Sequence, residues 1–208
     1  MKLKDPVVLL ANGLEPKLLK IINFLMDAGT IICVDGGYEL AKKLNIKPDI
    51  IIGDFDSTIL NKDDEKIKII KADKQNKTDL EKAIDFCISE NLNEIFLIAA
   101  NGKRDDHNLA NILLMYRYFK DIKIKIITDY FQIEVFEGTK LFNLPIGSEI
   151  SLISLEENNP ITSKGLIFEL NKDNLKSPSN GISNIVDKEK IEINAKKPLI
   201  IFRELNEY

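Results

Sequence analysis

Up to about residue 128 the chain alternates short apolar runs with stretches in which apolar residues recur every three or four positions. The runs are Val7–Ala11, Ile31–Val34, Asp49–Ile52, Ile67–Ile70, Ile95–Ala99 and Ile122–Ile127. Each is short and most are rich in β-branched residues, as suits strands of a sheet covered on both faces. Between them, Leu18-Ile21-Ile22-Leu25, Leu80-Ala83-Ile84-Cys87-Ile88 and Leu109-Ile112-Leu113-Tyr116 keep the spacing of a helix with one apolar face. This alternation predicts an α/β fold, with a mostly parallel Rossmann-like sheet and helices on both faces. Such a sheet receives its ligands at the carboxyl ends of its strands.

After Asp129 the pattern changes. The segments "FQIEVFEG", "SEISLISL", "GLIFEL", "KIEIN" and "PLIIFREL" are short, partly alternating and separated by Gly, Pro, Asn and Ser. No helical period intervenes, so a small antiparallel β-sandwich or barrel is expected. The two domains are therefore 1–128, α/β, and 129–208, all-β.

Length and composition narrow the function. The 208 residues leave room for a real core, with 44% apolar and 30% charged residues. No apolar run is long enough to span a membrane, and only "VVLLA" follows Pro6 near the start, so no secretory signal is expected. The formal charge is −4, the pI is near 5.3 and no basic cluster is backed by aromatics, which excludes nucleic acid as the main partner. Cys33 and Cys87 sit in apolar surroundings and are expected to be reduced core thiols of a cytoplasmic protein.

Polar clusters recur just past the predicted strand ends: Asp35-Gly36-Gly37, Gly53-Asp54-Phe55-Asp56-Ser57, "KQNKTDLEKA" and "NGKRDDHNLAN". Asp54 and Asp56 are two residues apart, so in extended chain their carboxylates share a face and repel unless a cation lies between them. A hard ion such as Mg²⁺ suits that pair, with Asp79 as a further oxygen donor; a solvated turn with Ser57 capping a helix is the alternative. Thr78-Asp79-Leu80-Glu81 also has the form of a capping box, which would fix the backbone that aims Asp79. Gly36-Gly37 permits positive φ and close approach of a phosphate to a helix starting near Tyr38, or a plain tight turn. Arg104, His107 and Asn111 recur on one helical stripe, fit either for phosphate and base contacts or for solvent, and the Arg104 guanidinium could grip phosphate oxygens bidentately.

In this order and spacing, "DGG", "KPDIIIGDFDS", "KTDLEKAI" and "GKRDDHNLAN" resemble the thiamin pyrophosphokinase family, with "TSKGLIFELN" and "NGISN" a fainter continuation. The resemblance implies transfer of the pyrophosphoryl group of ATP to thiamin, releasing AMP, by a homodimer whose active sites lie between subunits. It also implies that Asp54, Asp56 and Asp79 hold Mg²⁺ and take part in catalysis. Gly36, Gly37, Gln75, Arg104 and His107 would lie on the nucleotide side, and Ser183 and Asn184 on the thiamin side. Two positions depart from the family pattern: Asn76 stands where an acid is usual, and Lys103 where a second glycine is usual. A metal-dependent phosphohydrolase or nucleotidyltransferase, or a non-catalytic nucleotide-binding module, could use the same acidic rim. With no tryptophan in the chain, any aromatic partner of the thiazolium cation must be Phe or Tyr.

Overall fold

The computed structural model describes residues 2–53, 67–71 and 76–205. It is a mixed α/β chain that divides into two compact units, 1–129 and 130–208. Four α-helices occur among the described residues, all in the first unit.

In that unit the strands are β1 (Val7–Leu10), β2 (Thr30–Val34), β3 (Ile50–Gly53), β4 (Lys68–Lys71), β5 (Glu94–Ile98) and β6 (Lys123–Ile127). They pair in the order β6-β5-β1-β2-β3-β4, every pair parallel. The apolar runs of β1, β2 and β3 are buried at every position. β4 departs from expectation: at the sheet edge its four residues are largely exposed, Ile69 at 45%. An edge strand has a neighbour on one side only, and flanking lysines suit it to solvent.

The helices are α1 (Leu19–Met26), α2 (Gly37–Lys43), α3 (Asp79–Ser89) and α4 (Asp105–Tyr118). α3 buries Leu80, Ala83, Ile84 and Cys87, the face its spacing predicts. α4 does not follow its predicted face. Leu109 is 60% and Leu113 42% exposed, whereas Asn111, Met115 and Tyr118 are buried. Of the polar stripe only Asn111 turns inward, its Nδ2 donating to the Ala100 carbonyl at 2.6 Å, while Arg104 and His107 stay exposed. Both cysteines are buried and unpaired by disulfide, as expected.

The second unit holds β7 (Phe131–Asn143), β8 (Glu149–Ile153), β9 (Ile161–Lys164), β10 (Asn171–Asp173), β11 (Asn184–Ile185) and β12 (Lys190–Glu204). All its pairings are antiparallel. β12 runs along β7 for its whole length, with a register shift between Ala195 and Leu199. Its other edge takes β9 before that shift and β8 after it. Phe136, Phe142, Ile150, Leu152, Ile193 and Leu199 belong to the core that results.

Candidate active site

In the first unit β1 lies between β2 and β5, so the chain's lateral progress reverses there. The segments leaving two neighbouring strands then turn to opposite sides and open a crevice at the strands' carboxyl ends. A cleft of about 240 Å³ occupies this position. Its walls come from Ala11–Gly13 after β1, Val34 and Asp35 at the end of β2, Thr78–Leu80 at the start of α3, and the segment from Ala99 into α4. Asp35 (φ 46°) and Ala99 (φ 54°) are both left-handed non-glycine residues at this rim, a conformation that costs free energy and concentrates at functional sites.

Asp79 and Thr78 line the cleft. Half of the predicted capping box is present: Thr78 Oγ1 accepts from the Glu81 N–H at 3.2 Å. The reciprocal half is replaced, because the Glu81 carboxylate accepts from the Tyr118 hydroxyl at 2.9 Å and pairs with Lys77 at 3.4 Å. Lys77 also donates to Asp85 at 2.6 Å and to the Tyr118 hydroxyl at 3.2 Å, and these two hydrogen bonds push its pKa up. This network ties the start of α3 to the end of α4. Asp79 itself accepts from Lys82 Nζ, 2.9 Å from Oδ1. Asp54, Asp56 and Gln75 lie outside the described residues, and among the described residues no three His, Cys, Asp or Glu side chains converge as a metal site.

Arg104 and His107 line the cleft, both largely exposed. The fork of Arg104 is engaged by Asp106, Nε to Oδ1 at 3.0 Å and Nη2 to Oδ2 at 2.6 Å. That contact holds the Asp106 carboxyl down to about 2. Lys103, the departure from the family pattern, donates to Asn12 Oδ1 at 2.8 Å.

Gly36 and Gly37 are glycine for a reason other than the expected positive φ. Gly36 is right-handed (φ −61°), and the left-handed residue is Asp35. A Cβ on Gly37 would stand 2.0 Å from the Leu10 carbonyl oxygen, and one on Gly36 2.1 Å from Asn12 Nδ2. The N–H groups of Tyr38 and Glu39 are not open to a phosphate either, since they donate to the carbonyls of Asp35 and Gly36.

In the second unit, Ser183 is left-handed (φ 56°) and its Oγ donates to Glu149 at 3.0 Å. Asn184 is buried, and its amide brackets the backbone of Phe168: Oδ1 accepts from the Phe168 N–H at 3.1 Å and Nδ2 donates to its carbonyl at 2.8 Å. Phe168 itself is left 69% exposed. Sequence reasoning overlooked Asn12, Lys82 and Phe168; an Asn-Gly pair after a buried strand was the available signal for the first.

Family models agree with this layout. Residues 22–127 match the thiamin pyrophosphokinase catalytic domain, and residues 141–200 match that family's vitamin B1 binding domain. A rice thiamine pyrophosphokinase is 31% identical over 224 residues, covering 90% of this chain and 83% of the rice protein. The Bacillus subtilis enzyme aligns at 31% over 118 residues, which is 51% of its length. Its crystal structure superposes with a TM-score of 0.82 at 25% identity, covering 97% of this chain and 99% of that one. The mixed α/β fold, taken with these matches, marks an enzyme of the transferase class. The chain belongs to the thiamin pyrophosphokinase family, and its activity is the formation of thiamin diphosphate.

Proposed function

We propose that the chain transfers the pyrophosphoryl group of ATP to the hydroxyethyl oxygen of thiamin and releases AMP. The catalytic domain would be 1–128, with a Rossmann-like parallel sheet, and the thiamin-binding domain 129–208, a β-sandwich. The observation that carries the reading is the cleft at the strand-order reversal, with Asp79 on its wall. The donor chemistry there suits Mg²⁺, because Asp35 and Asp79 bring hard oxygens to the cleft. Asp54, Asp56 and Asp79 would hold the ion. Bound there, it would neutralise phosphate oxygens as charge moves to the leaving group.

The rest is positioning and charge. Arg104 and His107 border the nucleotide, with Gln75 and the Gly36-Gly37 turn on the same side; Arg104 offers its guanidinium to phosphate once it exchanges out of the Asp106 pair. Ser183 and Asn184 serve the thiamin side. Asn184 acts through Phe168, whose exposed ring offers a π face to the thiazolium cation. A cytoplasmic homodimer is the working assembly, and the exposed Leu109 and Leu113 on one face of α4 support such a contact. Among the described residues no helix is long and apolar enough to cross a membrane.

The test is a product balance. Purified protein with thiamin, ATP and Mg²⁺ should give AMP and thiamin diphosphate in equal amounts, whereas ADP would mean single phosphoryl transfer. Asp54→Asn should abolish turnover without unfolding the chain; retained turnover would remove the metal from the reading.

A further inference from the structure

We propose that Lys82 is a positioning residue, the resident counter-ion of Asp79. It holds that carboxylate at the cleft wall and sets how hard a divalent ion must compete for it. The proposal rests on Asp79 being a metal ligand. The two residues lie at i and i+3 on α3, Asp79 at its first position. Lys82 Nζ stands 2.9 Å from Oδ1, and the two side chains keep only 15% and 21% of their exposure. By contrast, the Arg104–Asp106 pair is 65% and 64% exposed and is screened by water. Asp79 lines the cleft, whereas Lys82 is not among the residues that line it.

Two consequences follow from charge alone. A cation this close lowers the attraction of Asp79 for a bare divalent ion, because ammonium and metal repel across a partly buried site. The negative triphosphate that arrives with a metal offsets that repulsion. Lys82 therefore biases the site towards the metal–nucleotide complex and against the free ion. It also keeps Asp79 in one orientation, so its loss should lower kcat more than it alters the KM for thiamin.

The experiment is Mn²⁺ binding to the full chain, read by the electron paramagnetic resonance signal of free Mn²⁺, with and without ATP. Variants are Lys82→Met, Lys82→Gln, Lys82→Arg and Asp79→Asn, each checked for folding by circular dichroism; the Gln variant serves if Met fails to fold. Bare Mn²⁺ should bind about tenfold more tightly to Lys82→Met or Lys82→Gln. The gain in affinity from ATP should shrink in the same variants, and Lys82→Arg should behave like the parent. If Asp79→Asn weakens Mn²⁺ binding while the Lys82 variants bind as the parent or more weakly, the counter-ion role is wrong and the metal reading stands. If Asp79→Asn leaves Mn²⁺ binding unchanged, the metal reading is wrong and Lys82 falls with it.

Discussion

Asn184 holds the Phe168 backbone on both sides of its Cα, accepting from its N–H at 3.1 Å and donating to its carbonyl at 2.8 Å. A buried, hydrogen-bonded amide thereby fixes the backbone of a residue whose side chain faces solvent. Phe168→Ala should leave the melting midpoint nearly unchanged, within about 0.5 kcal/mol, because the ring packs little. The KM for thiamin should rise on the order of tenfold, with the KM for ATP unaffected. Asn184→Ala should raise the same KM and also destabilise by about 1–3 kcal/mol through stranded backbone groups. Steady-state kinetics beside thermal melts separates the two roles, and an unchanged thiamin KM in both variants would remove Phe168 from the site.

Adjacent glycines should respond differently to a methyl group. In Gly37→Ala the new Cβ meets the Leu10 carbonyl oxygen at 2.0 Å, a backbone atom inside the sheet, so about 1–3 kcal/mol or more of stability should be lost. In Gly36→Ala the nearest atom is Nδ2 of the exposed Asn12, which can rotate away. Stability should then hold, while the Lys103–Asn12 contact is disturbed and the KM for ATP rises. Urea midpoints of the two variants check the contrast.

The Arg104–Asp106 pair should ignore pH across the neutral range. Hydrogen bonding to Arg104 holds the Asp106 carboxyl near 2, below the ordinary 3.8. A depressed carboxyl contributes above its unfolded value and loses that contribution as pH falls through the folded one, here from about 3.8 down to about 2. Carbon-detected NMR of the Asp106 carboxyl should show a midpoint near 2; one near 4 would mean the pair does not form in solution.

Cys33 and Cys87 bring the opposite sign. Burial pushes both thiols from 9.0 up to about 12. Between those values the unfolded chain has released protons that the folded chain retains, so stability is full below about pH 9 and declines as pH rises towards 12. Urea midpoints measured from about pH 8 to about pH 10.5 should fall. The decline should be smaller in a Cys33→Ala, Cys87→Ala chain. Native protein should also resist a thiol reagent that labels both residues in denaturant.

Periodicity alone located β1, β2, β3, β5 and the buried face of α3, because runs of Ile and Val with no polar alternation have few alternatives to a covered strand. The cap at Thr78 was equally legible, being a local contact across three residues. The same reasoning failed on α4: Leu109, Ile112 and Leu113 have the right spacing for a core face, yet Asn111 is the residue turned inward. Spacing reports which residues share a face, not what that face meets, and a buried Asn is tolerated only because the Ala100 carbonyl, brought there by β5, accepts its proton.

By itself the sequence determined the order of strands and helices, the change of character after Asp129 and the acids that fall beyond strand ends, since each depends on neighbours a few residues away. Tertiary structure alone decided that β1 and β5 are adjacent and so open a cleft, that Gly37 must lack a side chain because Leu10 lies 2.0 Å from where one would begin, and that Asn184 serves Phe168 from sixteen residues away. Contacts of that kind are set when distant segments pack, and no local pattern of residue types encodes which of them will meet.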